Sequence, residues 1–376
     1  MGRLSVGSGT PLIGLDIGTD RVRVAQVRAS GSSLLLNAYG SAGVPMGAVA
    51  EGEILDPEAV SSALRELWRR TSVKGKEVAV GVSNQKVVVR LIDLPFMERA
   101  ELEGSIKYQA QDYIPIPIED AILDFHVVGD YMTPADEHMM EVLLVAAQRD
   151  MIDATVQAVT GAGLKLAQID VTSFAIVRAL LGSGDSVLPG EDEVPGEAVG
   201  VIHVSSGVTN IAVVENGIPR FTRVSPIAGN HFSQAIANVL NLTFDEAEAL
   251  KIQVGLPDIE GGQQALEGTE AETQSVQAAQ DALEREVNKF IAEVRRLLDY
   301  YLTQTSQVRT IRRIYMTGNG SQLTNMAAYL EKGLQAQVVL SDPLARLQVA
   351  ASIQNEVAAD RMGSAPAIGL AMGGVS

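Results

Sequence analysis

Two strand-turn-strand segments of similar pattern, at residues 12–27 and 200–214, carry the residues best suited to chemistry. In the first, Asp16 ends an apolar run and Gly18 stands at the turn. Glycine permits a tight turn, and the backbone N–H groups of such a turn can face a phosphate. The sequence therefore predicts two phosphate-binding loops, which together would form a two-lobed nucleotide clamp. Their candidate residues are Asp16, Gly18, Thr19 and Asp20 in the first loop, and His203, Ser205, Ser206, Gly207 and Thr209 in the second.

The first loop resembles the phosphate loops of the superfamily that contains actin, the sugar kinases and the heat-shock-protein ATPases. Three further segments, at residues 216–223, 314–321 and 367–371, follow in an order similar to that of the PilM family of type IV pilus assembly proteins. Residues 87–95 and 101–115 also resemble that family, which has a strand ending in Leu-Pro and a helix ending in Tyr-Ile-Pro. The resemblance covers residues 12–373, with gaps at two acidic loops.

This resemblance implies an α/β protein with the actin-like fold, a duplicated ribonuclease H-like architecture of two lobes with a small inserted α/β subdomain. The segments predicted from the sequence are the first lobe at 12–77 and 148–190, the inserted subdomain at 78–147, the second lobe at 197–242 and 311–376, and a helical part of the second lobe at 243–310.

Several expected elements have clear signals of their own. Asp56 followed by Pro57 predicts the start of a helix, since Asp caps helices and Pro fits the first helical position. A capping box at Thr243 and Glu246 predicts another. Residues 182–196 are rich in Gly, Pro and acids and predict a linker, and residues 257–274 predict an acidic loop.

ATP and Mg²⁺ are the cofactors that the resemblance implies. Asp16 would hold Mg²⁺ through water, because this ion keeps much of its hydration and prefers oxygen ligands. Arg23, where the family usually has Lys, would place a positive charge by the outer phosphates. Glu248 and Lys251 lie one helical turn apart and would approach the ribose. The adenine side would be formed by Thr317, Gly318, Asn319 and Gly320.

Three positions depart from the superfamily. His203 stands where an Asp normally organises Mg²⁺ and the attacking water, and neutral imidazole is a poorer Mg²⁺ ligand than carboxylate. Ser205 replaces an expected glycine, and Asn319 replaces one of a usual glycine pair. Weak or absent ATP hydrolysis is therefore expected, although nucleotide binding can persist.

Composition restricts the possible partners. The 376 residues contain no cysteine, which excludes disulfides and thiolate metal sites, and a net charge of −17 disfavours nucleic acid. The longest uninterrupted apolar run, residues 142–147, is far shorter than the roughly 20 residues of a membrane helix. Residues 1–11 lack the charged-then-apolar pattern of a signal peptide. We expect a cytoplasmic protein that does not insert into the membrane.

Three functions remain open on sequence alone. The resemblance favours a scaffold at the inner membrane that docks the N-terminal cytoplasmic tail of a PilN-like membrane protein, with other pilus motor components and self-association also possible. A small-molecule kinase of the same superfamily would need a catalytic carboxylate and a substrate-specificity insert. A filament protein resembling FtsA would normally end in an amphipathic helix, and residues 371–376 do not predict one.

Overall fold

The elements of the fold are described from a computed structural model over residues 12–30, 33–182, 197–259, 270–304 and 310–373. The strands are β1 (Ile13–Ile17), β2 (Arg21–Ser30), β3 (Ser33–Gly43), β4 (Val49–Ala50), β5 (Glu53–Ile54), β6 (Glu77–Val82), β7 (Val87–Pro95), β8 (Ala121–Met132), β9 (His138–Gln148), β10 (Lys165–Val171), β11 (Glu197–Val204), β12 (Thr209–Glu215), β13 (Ile218–Ser225), β14 (Thr310–Thr317), β15 (Gln337–Leu340) and β16 (Leu347–Val349). The helices are α1 (Pro57–Arg70), α2 (Arg99–Ala110), α3 (Arg149–Gly161), α4 (Thr172–Leu181), α5 (Gly229–Leu240), α6 (Phe244–Val254), α7 (Glu270–Gln304), α8 (Met326–Leu334), α9 (Gln354–Ala358) and α10 (Ala365–Met372).

Two mixed sheets repeat one strand arrangement. The first has the order β10-β6-β1-β2-β3-β16, and the second has the order β13-β12-β11-β14-β15. In the first sheet β1, β2 and β3 pair antiparallel, β6 pairs in parallel with β1, and β10 pairs in parallel with β6. In the second sheet β11, β12 and β13 pair antiparallel, β14 pairs in parallel with β11, and β15 pairs in parallel with β14. The second order read backwards therefore matches the first five strands of the other sheet. This is the duplication that was predicted from the two similar loops.

The first sheet buries its apolar residues against α1 and α3. Asp56 caps α1 by accepting hydrogen bonds from the backbone N–H groups of Glu58 and Ala59, and Pro57 occupies the first turn, as predicted. The helix then turns Val60, Ala63, Leu64 and Leu67 into a core shared with β1, β2 and β6.

The inserted subdomain is a three-stranded antiparallel sheet of order β7-β9-β8, with α2 packed on one side. The predicted boundary at residue 78 was wrong, because β6 pairs in parallel with both β1 and β10 and so belongs to the first sheet. The predicted subdomain of 78–147 therefore loses its first strand. The remaining chain enters and leaves the subdomain side by side, since Val87 pairs with Ala147.

The second sheet is covered on both faces, and its strands alternate accordingly. Ile202, Val204, Ile211 and Val213 pack into a core with α5, α7 and α8. The intervening Val201, Ala212 and Val214 pack against Ile176, Val177, Leu180 and Leu181 of α4, which belongs to the first lobe. The two lobes thus share an apolar contact beneath the cleft.

The end of the chain returns to the first lobe. Strand β16 pairs with β3, and α10 packs against β1, β2 and α4. The contact is close: a Cβ added at Gly14 would lie 2.0 Å from the carbonyl oxygen of Ala367, and one added at Gly369 would lie 1.8 Å from that of Ala175. The assignment of all of 311–376 to the second lobe was therefore wrong.

Two predicted irregular segments fall largely outside the described residues, namely 183–196 of the linker and 260–269 of the acidic loop. Residues 270–274, expected in that loop, already belong to α7. Across the ranges that the structure describes, no helix combines the length and apolar character needed to cross a bilayer.

Candidate functional site

The first predicted loop is a tight hairpin turn between β1 and β2. The Gly18 N–H donates to the carbonyl oxygen of Arg21 at 3.0 Å. A Cβ at Gly18 would lie 3.0 Å from that same oxygen, a tight contact that favours glycine here. Asp16 stands at the end of β1 and is only 9% exposed.

The second loop joins β11 to β12 in the equivalent place. The Ser205 N–H donates to the carbonyl oxygen of Val208 at 3.1 Å, and the Ser205 hydroxyl donates to the same oxygen at 2.7 Å. Its carbonyl groups are also engaged, because the N–H groups of Gly229 and Asn230 at the start of α5 donate to Ser205 and Ser206.

The two loops touch each other across the space between the lobes. The Ser206 hydroxyl donates to Asp20 Oδ1 at 2.8 Å. A Cβ added at Gly207 would lie 2.0 Å from the Thr19 hydroxyl. The sequence prediction that these loops face one another is therefore matched by the geometry.

A cleft opens beside the loops and is lined by residues of both lobes. Its lining includes Asp16, Ile17, Gly18, Thr19, Arg23, Gly52, Ile54, Gly81, Val82, Ser83, Met151, Thr155, Thr172, His203, Ser205, Ser206, Val208, Asn210 and Pro366. Among these described residues, Asp16 is the only carboxylate. The cleft can thus bind polar groups but offers a single acidic side chain.

Burial makes Asp16 hard to ionise. The pKa of its carboxyl is raised to about 6, chiefly by desolvation, although the nearby Arg23 guanidinium opposes the rise. Arg23 Nη1 lies 3.5 Å from Asp16 Oδ2. A bound cation would favour the ionised form, since an opposite charge within a few ångströms stabilises a carboxylate.

His203 faces the cleft from the second lobe as a neutral imidazole. Desolvation and the Arg23 charge lower its pKa to about 3, with the Asp360 charge acting in the opposite direction. The ring is 4% exposed, and its Nδ1 has no hydrogen-bond partner among the described residues. An unpartnered buried ring nitrogen has unused capacity for a ligand.

Arg23 is bound on its other side by Asp360, a residue that sequence reasoning missed. Arg23 Nε and Nη2 donate to the two Asp360 oxygens at 2.7 and 3.2 Å. The positive charge of Arg23, which was predicted to lie by the outer phosphates, is therefore already paired with the carboxylates of Asp16 and Asp360. The only signal in the sequence was a lone Asp-Arg pair before an apolar stretch, and nothing in that pair indicates its partner.

The predicted ribose residues form a cluster next to the second loop. Lys251 Nζ donates to Glu248 Oε2 at 2.6 Å, to the Ser233 hydroxyl at 2.9 Å and to the Gly229 carbonyl oxygen at 3.3 Å. Ser233 donates to Glu248 as well. Gly229, whose N–H bonds to the second loop, connects this cluster to the cleft.

The predicted adenine loop follows β14 and so belongs to the second lobe, as the ribose cluster does. A Cβ at Gly320 would lie 2.6 Å from the Val204 side chain, and one at Gly318 would lie 2.3 Å from the Val204 carbonyl oxygen, so both glycines permit close approach to β11. Asn319 donates to Asp360 at 2.8 Å. The Thr317 hydroxyl donates to the Met362 carbonyl oxygen at 3.2 Å.

Thr209 lies in the second loop, and next to it Asn210 bonds Ser83 and Ser173, none of which was predicted from the sequence. The Thr209 hydroxyl donates to the carbonyl oxygen of Ile227 and is fully buried, so its contribution is to position the second loop. The sequence reasoning missed Asn210, whose Oδ1 accepts from both Ser83 at 2.7 Å and Ser173 at 3.1 Å. These bonds join the second lobe to the first at the floor of the cleft.

Mg²⁺ fits this site only as an ion held mainly by its ligand and by water. No group of three or more acidic or histidine side chains that could hold a metal occurs within the described part of the chain. Mg²⁺ in phosphate sites is commonly bound through one or two carboxylates and the substrate phosphates, and Asp16 supplies one such carboxylate.

The family is established by comparison with known sequences. A family model described as type IV pilus assembly protein PilM matches residues 14–375. The chain belongs to this family. The resemblance noted in the sequence is thereby confirmed.

Two relatives described as cell division proteins match most of the chain. FtsA, the cell division protein of Neisseria meningitidis serogroup B, is 27% identical over 344 residues, covering 85% of this chain and 80% of that protein. FtsA of Escherichia coli K12 is 23% identical over 365 residues, covering 89% of this chain and 84% of that protein.

Solved structures confirm the fold. A chain of a PilM–PilN type IV pilus biogenesis complex has a TM-score of 0.79 at 24% identity, covering 98% of this chain and 100% of that one. MreB 5 of Spiroplasma citri bound to AMPPNP has a TM-score of 0.51 at 14% identity, covering 96% and 95% of the two chains. The predicted actin-like α/β fold is confirmed by these likenesses.

Proposed function

We propose that this PilM family member is an ATP-binding scaffold with little or no ATPase activity, which docks the N-terminal cytoplasmic tail of a PilN-like inner-membrane protein. The observation that carries the proposal is the direct contact of the two loops at Thr19 and Gly207, beside a cleft in which Asp16 is the only carboxylate among the described lining residues. This arrangement suits binding better than turnover.

Nucleotide binding is supported by the shape and the donors of the cleft. The loop around Gly18 and Thr19 would face the phosphates from one lobe, and the loop around Ser206 and Gly207 would face them from the other. Mg²⁺, when bound, neutralises phosphate charge, and Asp16 would hold it through water. The Nδ1 of His203 has no partner among the described residues but is buried, so it would bond a phosphate oxygen or a water only after its surroundings moved.

We expect slow hydrolysis because the described lining residues of the cleft include no suitable general base. Activating water or a hydroxyl nucleophile requires a positioned general base. Asp16 accepts a hydrogen bond from Arg23 and would also hold the cation, so it is not available as the base. His203, with a pKa of about 3, is too weak a base. The same deficit argues against the small-molecule kinase alternative.

Docking of the tail is assigned to the seam between the inserted subdomain and the first lobe. Val89 and Val145 of the subdomain pack here against Val171, while Leu143 and Phe174 at the same place are only partly buried. A partly covered apolar seam beside a β-sheet suits a short extended peptide, which can use backbone hydrogen bonds and side-chain pockets. The solved PilM–PilN complex supports a partner of this kind.

Attachment to the membrane would then be indirect, through the partner, from a cytoplasmic position. The net charge of −17 opposes binding to anionic lipid and to nucleic acid. FtsA-like filament formation is favoured by the sequence similarity alone. Contacts with other pilus motor components and self-association are compatible with the proposal.

Affinity capture tests the proposal. The tagged full-length protein, incubated with detergent-solubilised membranes of its host, should retain one bitopic inner-membrane protein with a short cytoplasmic N-terminal tail. A synthetic peptide of that tail should elute it. Retention of cell division proteins in its place, or of no membrane protein, would contradict the scaffold assignment.

A further inference from the structure

Asp360 gathers donors from three separate parts of the chain. Its Oδ2 accepts from Arg23 Nε at 2.7 Å and from the Tyr39 hydroxyl at 2.8 Å, and its Oδ1 accepts from Arg23 Nη2 at 3.2 Å and from Asn319 Nδ2 at 2.8 Å. A carboxylate has about four lone-pair sites, so this one is saturated by the protein itself. It is 4% exposed.

These donors belong to both lobes. Arg23 and Tyr39 lie on β2 and β3 of the first sheet, and Asn319 follows β14 of the second. Met362, two residues after Asp360, accepts from the Gly318 N–H at 3.1 Å and from the Thr317 hydroxyl. The segment around Asp360, which packs with the first lobe, thus holds the end of β14 in the second lobe.

Gly363 shows how little space the arrangement leaves. A Cβ at this glycine would lie 2.6 Å from Asp360 Oδ1, 2.9 Å from Arg23 Nη2 and 3.0 Å from Asn319 Nδ2. A larger residue would have to displace at least one of these three side-chain ends. The position of the C-terminal segment is therefore fitted to the cluster.

Electrostatics support a permanent ion pair. Burial disfavours the charge on Asp360, but Arg23, Asn319 and Tyr39 hold its pKa below the ordinary value. Burial likewise opposes the charge on Arg23, and Asp360 and Asp16 together keep its pKa above the ordinary value. A buried pair that loses one member leaves an uncompensated charge, which is strongly destabilising.

We propose that Asp360 with Arg23, Tyr39 and Asn319 forms an interlobe latch, which keeps the two sides of the cleft in register when no nucleotide is bound. Asp360 is its positioning residue: it fixes Arg23 on the phosphate side and Asn319 on the adenine side. Arg23 and Asn319, two positions predicted to contact nucleotide, thereby meet on one carboxylate. The nucleotide part of the inference rests on the proposed function, and the latch itself does not.

Two matched variants of the full-length protein test the latch. Asn319→Ala and Tyr39→Phe each remove one neutral donor from the same buried carboxylate, so both should lower the Tm by a similar few degrees. Only the first removes a bond between the lobes. In nucleotide-free protein, hydrogen exchange of residues 17–20 and 317–322 should be several-fold faster in Asn319→Ala than in Tyr39→Phe, and saturating Mg·ATP should restore slow exchange.

Equal exchange in the two variants would overturn the latch, and so would unchanged exchange in both. Asp360→Asn should combine the fast exchange with a Tm about 5–10 °C lower, because it also leaves Arg23 poorly compensated. If the unsubstituted protein binds no ATP, the proposed function fails, and the nucleotide-free comparison of the two variants still decides the latch.

Discussion

Thr19 and Gly207 touch across the cleft, so closely that a Cβ at Gly207 would lie 2.0 Å from the Thr19 hydroxyl and 2.7 Å from its Cβ. Gly207 does not have the positive φ that would itself require glycine. Its lack of a side chain therefore serves the contact between loops rather than the turn. The close approach of these two loops depends on this absent side chain.

The substitution Gly207→Ala should push the loops apart and weaken Mg·ATP binding about tenfold, which corresponds to about 1.4 kcal/mol. Gly129→Ala is the matched control, since a Cβ there meets nothing within 4 Å. Calorimetric titration of both variants measures the difference. Equal affinities would show that contact between the loops is irrelevant to the nucleotide.

The features that the sequence predicted correctly depend on near neighbours. The cap at Asp56, the capping box at Thr243 and the turn at Gly18 each involve residues within four positions of one another. Such short-range signals are fully contained in a single sequence. The duplicated sheet could be anticipated because the two loops resemble each other.

The features that were missed depend on distant pairing. Asp360 and Arg23 are 337 positions apart, and no local period or turn signal connects them. Strand β6 is a short, almost wholly buried run, and such a run does not say which sheet the strand joins. The return of β16 and α10 to the first lobe was hidden for the same reason.

His203 should make the protein less stable in acid. Its pKa is about 3 in the folded state against about 6.5 unfolded, so the unfolded chain binds more protons between these values and stability falls as pH decreases. From pH 7.5 to 5.5 this costs about 1.4 kcal/mol. Urea unfolding of wild type and His203→Asn at both pH values should show that difference.

Wild type must be compared with His203→Asn because Asp16 changes the stability with pH in the opposite direction. Its folded pKa of about 6 lies above the unfolded value of 3.8, so the stability it contributes increases as pH falls through 6. Both proteins carry Asp16, and its share therefore cancels. If the pH dependence of His203→Asn parallels that of wild type, His203 is not buried as a neutral ring.

Tail binding should depend on the seam and not on the outer edge of the inserted sheet. Leu143→Ser places a hydroxyl in the apolar seam beside Phe174 and should weaken binding of the tail peptide at least tenfold. Val127→Ser is the control, because Val127 lies on β8, the edge strand of the sheet, and is 39% exposed. Fluorescence anisotropy with a labelled peptide measures both.

The seam assignment is wrong if Leu143→Ser binds the tail as wild type does, or if Val127→Ser alone loses it. Thermal unfolding of each variant must first show that the subdomain stays folded, since Leu143 is partly buried in its present position. The same peptide added to protein saturated with Mg·ATP shows whether the cleft and the seam act independently.

The most direct test of the account is to measure bound nucleotide and released phosphate in one experiment. Full-length protein is incubated with Mg·ATP and the tail peptide, separated rapidly from free nucleotide and analysed for ATP, ADP and phosphate, with Asp16→Ala in parallel. We predict about one intact ATP per wild-type chain, much less on Asp16→Ala, and phosphate release far below the typical enzymatic rate of about 10 per second. Phosphate release near that rate, or equal ATP on both proteins, would contradict a nucleotide-binding scaffold built around Asp16.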